Sequence, residues 1–197
     1  MNLPNKLTLS RFVLTVFFLI AMFSRSAFND TLALVLFGLA SLTDYFDGKI
    51  ARQRNLITNF GVLMDPLADK ILICSAFIAL VERGKMDSTI VQVEAWMVVI
   101  IVARELAITG LRLLAASKNV VLAAEGYGKH KTISQIVAIL ALLVMDAYLE
   151  WWPWLRDLFQ PWTPMFAQFA LGLTVLLTFI SGMLYLWRNR RIYLDDM

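Results

Sequence analysis

The chain is predicted to be all-α, a polytopic membrane protein of six transmembrane helices with both termini cytoplasmic. Of its 197 residues, 59% are hydrophobic and the mean hydropathy is +0.69, more apolar surface than one water-soluble core could hide. Apolar runs recur at 7–24, 31–50, 60–82, 90–115, 132–150 and 164–187, each long enough to cross roughly 30 Å of hydrocarbon as a helix. These runs are too long and too evenly apolar for barrel strands, and backbone groups in lipid must bond internally, so a helical bundle is the expected form. Residues 1–197 read as one membrane domain without repeats or low-complexity segments.

The first run keeps Arg11 inside it and has no small-residue cleavage site behind it, so it reads as a retained helix rather than a signal peptide. The second ends in an acid-rich stretch at Asp44 and Asp47, and the third carries Asp65, Pro66 and Asp69, with Pro66 expected to remove one helical hydrogen bond and bend the helix. The fourth holds Arg104, Glu105 and Arg112, and the fifth follows Gly128-Lys129-His130-Lys131. Before the sixth run, Pro153, Pro161 and Pro164 among Trp151, Trp152, Trp154 and Trp162 read as an outer interfacial loop with an aromatic belt. With the amino terminus inside, Lys6, Lys49, Arg52, Arg54, Arg112, Lys118, Lys129, Lys131, Arg188, Arg190 and Arg191 face the cytoplasm. Only Arg25, Arg83, Lys85 and Arg156 face outward.

Cys74 and His130 are each the sole residue of their type, so no internal disulfide can form, and neither a zinc–thiolate site nor a multi-histidine metal site is expected. Cys74 is expected to be a small core residue. The chemistry therefore falls to carboxylates. A charge in hydrocarbon is costly, so Asp44, Asp47, Asp65 and Asp69 mark a functional site rather than a set of structural ion pairs. On a helix, Asp44, Asp47, Gly48 and Ala51 share a stripe of roughly 100° with Arg52 at its edge, and Gly61, Asp65, Ala68 and Asp69 form a matching stripe on the next helix. The small residues leave room for a bulky ligand.

Four carboxylates in one low-dielectric pocket repel one another beyond what Arg52 and Lys70 can balance. A pair of divalent cations would balance them. All-oxygen ligation suits Mg²⁺ or Mn²⁺, and Mg²⁺ is commonly shared between carboxylates and substrate phosphates, which points to a phosphate or diphosphate substrate. A two-metal site can stabilise attacking and leaving oxygens, and a carboxylate at its edge can take a proton from an attacking hydroxyl.

The run Asp44-x2-Asp47-Gly48-x2-Ala51-Arg52-x8-Gly61-x3-Asp65-x3-Asp69 resembles the full signature of the CDP-alcohol phosphatidyltransferase family. The resemblance implies six transmembrane helices, a homodimer, and transfer of a phosphatidyl or similar group from a CDP-linked lipid to an alcohol with release of CMP. It implies that Asp44, Asp47, Asp65 and Asp69 bind the metals and that Asp69 is also the general base. Asp44, Gly48, Arg52 and Gly61 would meet the CDP-lipid, as would Asn5 and Thr8 from the segment Pro4-Asn5-Lys6-Leu7-Thr8-x2-Arg11, and Thr58. For Asn5 and Thr8, capping of the first helix is an equal alternative.

Arg104-Glu105, Thr109-Gly110-Leu111-Arg112 and Gly128-Lys129-His130-Lys131-Thr132 resemble the branch of that family that joins CDP-diacylglycerol to sn-glycerol 3-phosphate. An anionic acceptor needs cations near the metals, and Arg112, Lys129 and Lys131 stand at cytoplasmic helix ends, whereas serine or inositol would need no phosphate clamp. Arg104 and Glu105 are expected to form a buried ion pair rather than to touch substrate. The expected partners are CDP-diacylglycerol, sn-glycerol 3-phosphate, membrane lipids and a second copy of the chain, not nucleic acid. The expected place is a bacterial inner membrane, with the site facing the cytoplasm. A transporter would spread its acids across the membrane depth, and prenyl-diphosphate enzymes use adjacent acids that this chain lacks before Asp195-Asp196.

Overall fold

A computed structural model describes residues 3–24, 28–54, 59–86, 91–118 and 127–194, and their side chains except those of 3–4, 44–54, 59–63, 85–86, 127–130, 191 and 194. The described residues are helical with no strand: α1 (Leu3–Phe23), α2 (Asn29–Arg54), α3 (Asn59–Met86), α4 (Ala95–Ser117), α5 (Tyr127–Ala147), α6 (Pro153–Phe159), α7 (Thr163–Arg188) and α8 (Arg191–Leu194). A 3-10 turn at Tyr148–Glu150 follows α5. The expected runs 31–50, 60–82 and 164–187 lie inside α2, α3 and α7, whereas 7–24, 90–115 and 132–150 overlap α1, α4 and α5 but run past one end of each helix.

Among the described residues, three stretches are long and apolar enough to cross a membrane: Asn5–Phe23, Lys131–Glu150 and Thr163–Arg188. The apolar part of α2 is shorter, Asn29–Thr43, and stops where the acids begin. α3 likewise carries Asp65, Asp69 and Lys70, and α4 carries Arg104, Glu105 and Arg112, charges that lower the hydropathy of the helices meant to hold the site. α3 runs through Pro66 without interruption, and the Pro66 carbonyl accepts a hydrogen bond from Lys70 Nζ at 3.2 Å.

The apolar core is built by α1, α2, α3, α4, α5 and α7, with Phe18, Phe37, Phe77, Ile101, Ile139 and Leu142 among its fully buried side chains. α1 packs on α2 and α3, α5 on α2, α3 and α7, and α7 on α4. The end opposite the acids is tied by polar contacts. Glu150 accepts hydrogen bonds from the Asp30 amide at 3.0 Å, the Thr31 amide at 2.8 Å and the Thr31 hydroxyl at 2.7 Å, supplying the carboxylate that the first turn of α2 needs. Arg83 pairs with Asp30, and Trp151 Nε1 donates to Thr31 Oγ1 at 3.0 Å.

The segment expected as a loop contains α6, started by Pro153 at its first turn, where a missing amide costs nothing. Trp152, Trp154 and Trp162 are exposed as a belt requires, but Trp151 is not a belt residue: its ring packs edge-on to Phe159 at 5.2 Å and its indole nitrogen is bonded inward.

Candidate functional site

Two helices carry the acid motif. Asp44, Asp47, Gly48 and Arg52 lie on the second half of α2, and Gly61, Asp65 and Asp69 on the first half of α3. The side chains of Asp44, Asp47 and Arg52, the surroundings of Gly48 and Gly61, and the whole of Thr58 lie outside the described residues. Asp65 and Asp69 are partly buried and one helical turn apart, so both project from one side of α3.

The amino-terminal helix joins them directly. Thr8 is fully buried and its hydroxyl donates to Asp65 Oδ1 in a short hydrogen bond. Both Asn5 and Thr8 sit inside α1, which begins at Leu3, so the capping alternative does not hold. Thr8 is placed against a carboxylate of the motif, a contact that its expected nucleotide role did not include. Arg11, one turn further along, is also fully buried.

A second cluster stands on α4, α5 and α7. Glu105 Oε1 accepts from Arg104 Nη1 at 3.2 Å and from the ammonium of Lys131 in a short ion pair. All three side chains are largely buried, exposed by 14% for Arg104, 10% for Glu105 and 6% for Lys131. Lys131 is thus not a plain interfacial charge but an inward-facing one. Arg112, two turns beyond Glu105 on α4, lies over the ring of Tyr185 at 5.9 Å and donates weakly to its hydroxyl at 3.4 Å. The side chain of Lys129 lies outside the described residues. Beneath the cations, α5 and α7 are joined by Thr174 Oγ1 donating to the Ser134 carbonyl at 2.9 Å.

The two clusters are in electrostatic contact. Asp69, Lys70 and Cys74 of α3 all act on Lys131, and Lys70 feels both Arg104 and Arg112. Cys74 is a half-buried free thiol on the same helix. Asp69 of α3 therefore lies in the field of Lys131 of α5, although the two residues are far apart in the chain.

Sequence patterning missed the double role of Glu105, which binds Lys131 as well as its neighbour, and it missed Tyr185. An acid buried in an apolar helix was itself the signal for Glu105. No comparable signal marks Tyr185, since a tyrosine near a membrane interface is ordinary.

Asp65 and Asp69 offer only oxygen donors, and Thr8 steadies Asp65 as an outer-shell donor steadies a metal ligand. That chemistry fits a hard divalent cation. Among the described residues no three potential ligands gather, the side chains of Asp44 and Asp47 lying outside them.

Fold and charge placement together define a multi-pass helical membrane protein with ionisable side chains buried between its helices. The chain belongs to the CDP-alcohol phosphatidyltransferase family, whose sequence model matches residues 1–187. A Bacillus subtilis (strain 168) protein named CDP-diacylglycerol--glycerol-3-phosphate 3-phosphatidyltransferase is 40% identical over 200 residues, covering 95% of either chain. A Mycobacterium tuberculosis (strain H37Rv) protein named probable phosphatidylglycerophosphate synthase is 36% identical over 194 residues, 96% of this chain and 82% of its own. A Rickettsia felis protein bearing the same name as the Bacillus one is 36% identical over 143 residues, 73% of this chain and 75% of its own.

Proposed function

We propose that this protein transfers the phosphatidyl group of CDP-diacylglycerol to sn-glycerol 3-phosphate, forming phosphatidylglycerophosphate and CMP. The observation that supports the acceptor assignment is the inward-facing Lys131, paired with Glu105 and lying in the field of Asp69, a cation suited to the acceptor's phosphate. The names of the relatives agree with this reading.

Asp44, Asp47, Asp65 and Asp69 would hold two divalent cations, Mg²⁺ or Mn²⁺. When bound, such cations neutralise the diphosphate and stabilise the departing CMP oxygen. The chain's own residues do the rest. Asn5, Thr8, Asp44, Gly48, Arg52, Thr58 and Gly61 bind the CDP-lipid, whose acyl chains remain in the bilayer. Arg112, Lys129 and Lys131 take the acceptor phosphate and so orient its 1-hydroxyl. Asp69 removes the proton from that hydroxyl, the oxygen attacks the phosphorus bearing diacylglycerol, and the bond from phosphorus to the CMP oxygen breaks. Attack is direct, because no Ser, Cys or His stands in the acid motif as a nucleophile. Inversion at a chiral thiophosphate is the expected outcome, and retention would refute it.

In this reading the chain is one domain of six spans in a bacterial inner membrane, with both termini and the site on the cytoplasmic side. It works as a homodimer, a state that light scattering of the purified protein in detergent reads directly. The test of function is CMP release from CDP-diacylglycerol with Mg²⁺ or Mn²⁺, with glycerol 3-phosphate, serine, inositol and phosphatidylglycerol offered separately. Release with glycerol 3-phosphate alone is expected. Release with another acceptor overturns the assignment of Arg112, Lys129 and Lys131, and flux in proteoliposomes without CDP-lipid would favour a transporter. Removal of divalent cations with EDTA should abolish release, and Mg²⁺ or Mn²⁺ should restore it.

A further inference from the structure

We propose that Glu105 is a positioning residue for the acceptor: it holds the Lys131 ammonium where a phosphate dianion can be received, and it does so through a carboxylate shared with Arg104. The inference rests on the proposed acceptor and adds a residue that touches no substrate itself.

A lysine is a compact charge on a flexible four-carbon stem, and ordering that stem costs on the order of 2 kcal/mol of rotamer entropy. Bound to Glu105, Lys131 has met this cost before any ligand arrives. One of the three ammonium donors is used by Oε1, which leaves two for phosphate oxygens. Arg104 binds the same oxygen through Nη1, and among the described residues its buried Nε makes no hydrogen bond. Two cations share one anion, so the cluster carries a net charge of +1 in a region of low dielectric. A lone buried cation pair would repel and swing apart, and a fully neutral cluster would attract no anion. The single carboxylate avoids both outcomes. It also ties α4 to α5, so Lys131 is set relative to Arg112, which stands on the same helix as Glu105.

A purely structural ion pair predicts a different pattern from a positioning one. Glu105→Gln keeps the volume and an acceptor oxygen but removes the charge. It is expected to raise the KM for glycerol 3-phosphate about tenfold while the KM for CDP-diacylglycerol stays within about twofold. Lys131→Gln should raise the acceptor KM by a similar factor. In the double variant the two effects should not multiply, because Glu105 acts through Lys131. Equal rises in both KM values, or full multiplication in the double variant, would overturn the inference. Where Glu105→Gln does not purify as a monodisperse protein, Glu105→Asp carries the test, with a smaller rise confined to the acceptor expected and equal rises for both substrates refuting it. Wild-type turnover separates the two levels. If glycerol 3-phosphate supports no CMP release by the wild type, the proposed function fails; if it does and the double variant is multiplicative, only the role of Glu105 fails.

Discussion

Gly182→Ala puts the packing of the cation cluster under direct strain. A methyl group at Gly182 on α7 would stand 2.8 Å from Arg104 Cγ and 3.6 Å from Arg104 Cβ. Ordinary carbon contacts lie at about 3.5–4.0 Å, so either the arginine stem must move by about 1 Å or α4 and α7 must separate. Cγ is close to the backbone, and the guanidinium is anchored 3.2 Å from Glu105, so the stem has little freedom to yield. Overpacking of this kind costs about 1–3 kcal/mol, against which alanine gains about 1 kcal/mol in helix propensity. Gly172, on the same helix, has nothing within 4 Å of the same methyl position, so Gly172→Ala keeps only the gain. The two variants should differ by about 1–3 kcal/mol, with Gly182→Ala the less stable, in reversible unfolding by SDS in mixed micelles. Arg104→Ala removes the stem and should abolish the difference. Equal stabilities for the two glycine variants, or a difference that survives Arg104→Ala, would refute the reasoning.

Other outcomes follow from single contacts. Asp69→Asn should lower turnover by about 10²-fold or more with the fold intact, read by CMP release and circular dichroism; near-normal activity would remove Asp69 as the base. Arg112→Ala should mainly raise the acceptor KM, whereas Tyr185→Phe, which keeps the ring under Arg112 and deletes only a 3.4 Å hydrogen bond, should change it less than about threefold. Thr8→Val removes the donor to Asp65 and should raise the Mg²⁺ concentration for half-maximal activity about tenfold, with Thr8→Ser restoring it. Glu150→Ala leaves the amides of Asp30 and Thr31 without their carboxylate and should cost about 1–3 kcal/mol in SDS unfolding without altering kcat, since the contact is at the far end of the bundle.

Much of this fold is legible in the chain because a bilayer demands long apolar runs. The runs at 31–50 and 60–82 mark α2 and α3, but the helices extend further, to Arg54 and Met86. Hydropathy reports where lipid is, whereas helical hydrogen bonding continues into polar residues beyond it. The seven-residue α6 is too short to show a period, and its prolines and tryptophans read as a loop. The acid motif is legible because spacing alone places Asp65 and Asp69 on one side of a helix. The partners of those side chains are not. Thr8 and Asp65 are 57 residues apart and Arg112 and Tyr185 73, and helical periodicity identifies the buried side of each helix without saying which neighbour covers it.

The division of labour among the helices explains how a bilayer tolerates so many buried charges. α1, α5 and α7 hold the stretches apolar enough to span, and α2, α3 and α4 hold most of the expected site. Each of the charged helices packs on a spanning one: α2 and α3 on both α1 and α5, and α4 on α7. A charge at the bilayer centre costs about 2.5–3.5 kcal/mol on insertion scales, so the charged helices would cross poorly alone. Packed this way, they can turn Asp65 toward the Thr8 hydroxyl, and Asp69 and Glu105 toward cations, rather than toward lipid. α5 makes this possible at its own expense. Half of its span is buried, the largest share of the three, and near its start it carries Lys131, paired with Glu105 and in the field of Asp69. The helix that helps bury Asp69 and Glu105 is thus also the one that brings them a counter-charge, so the stability of the bundle and the electrostatics of the site depend on the same packing.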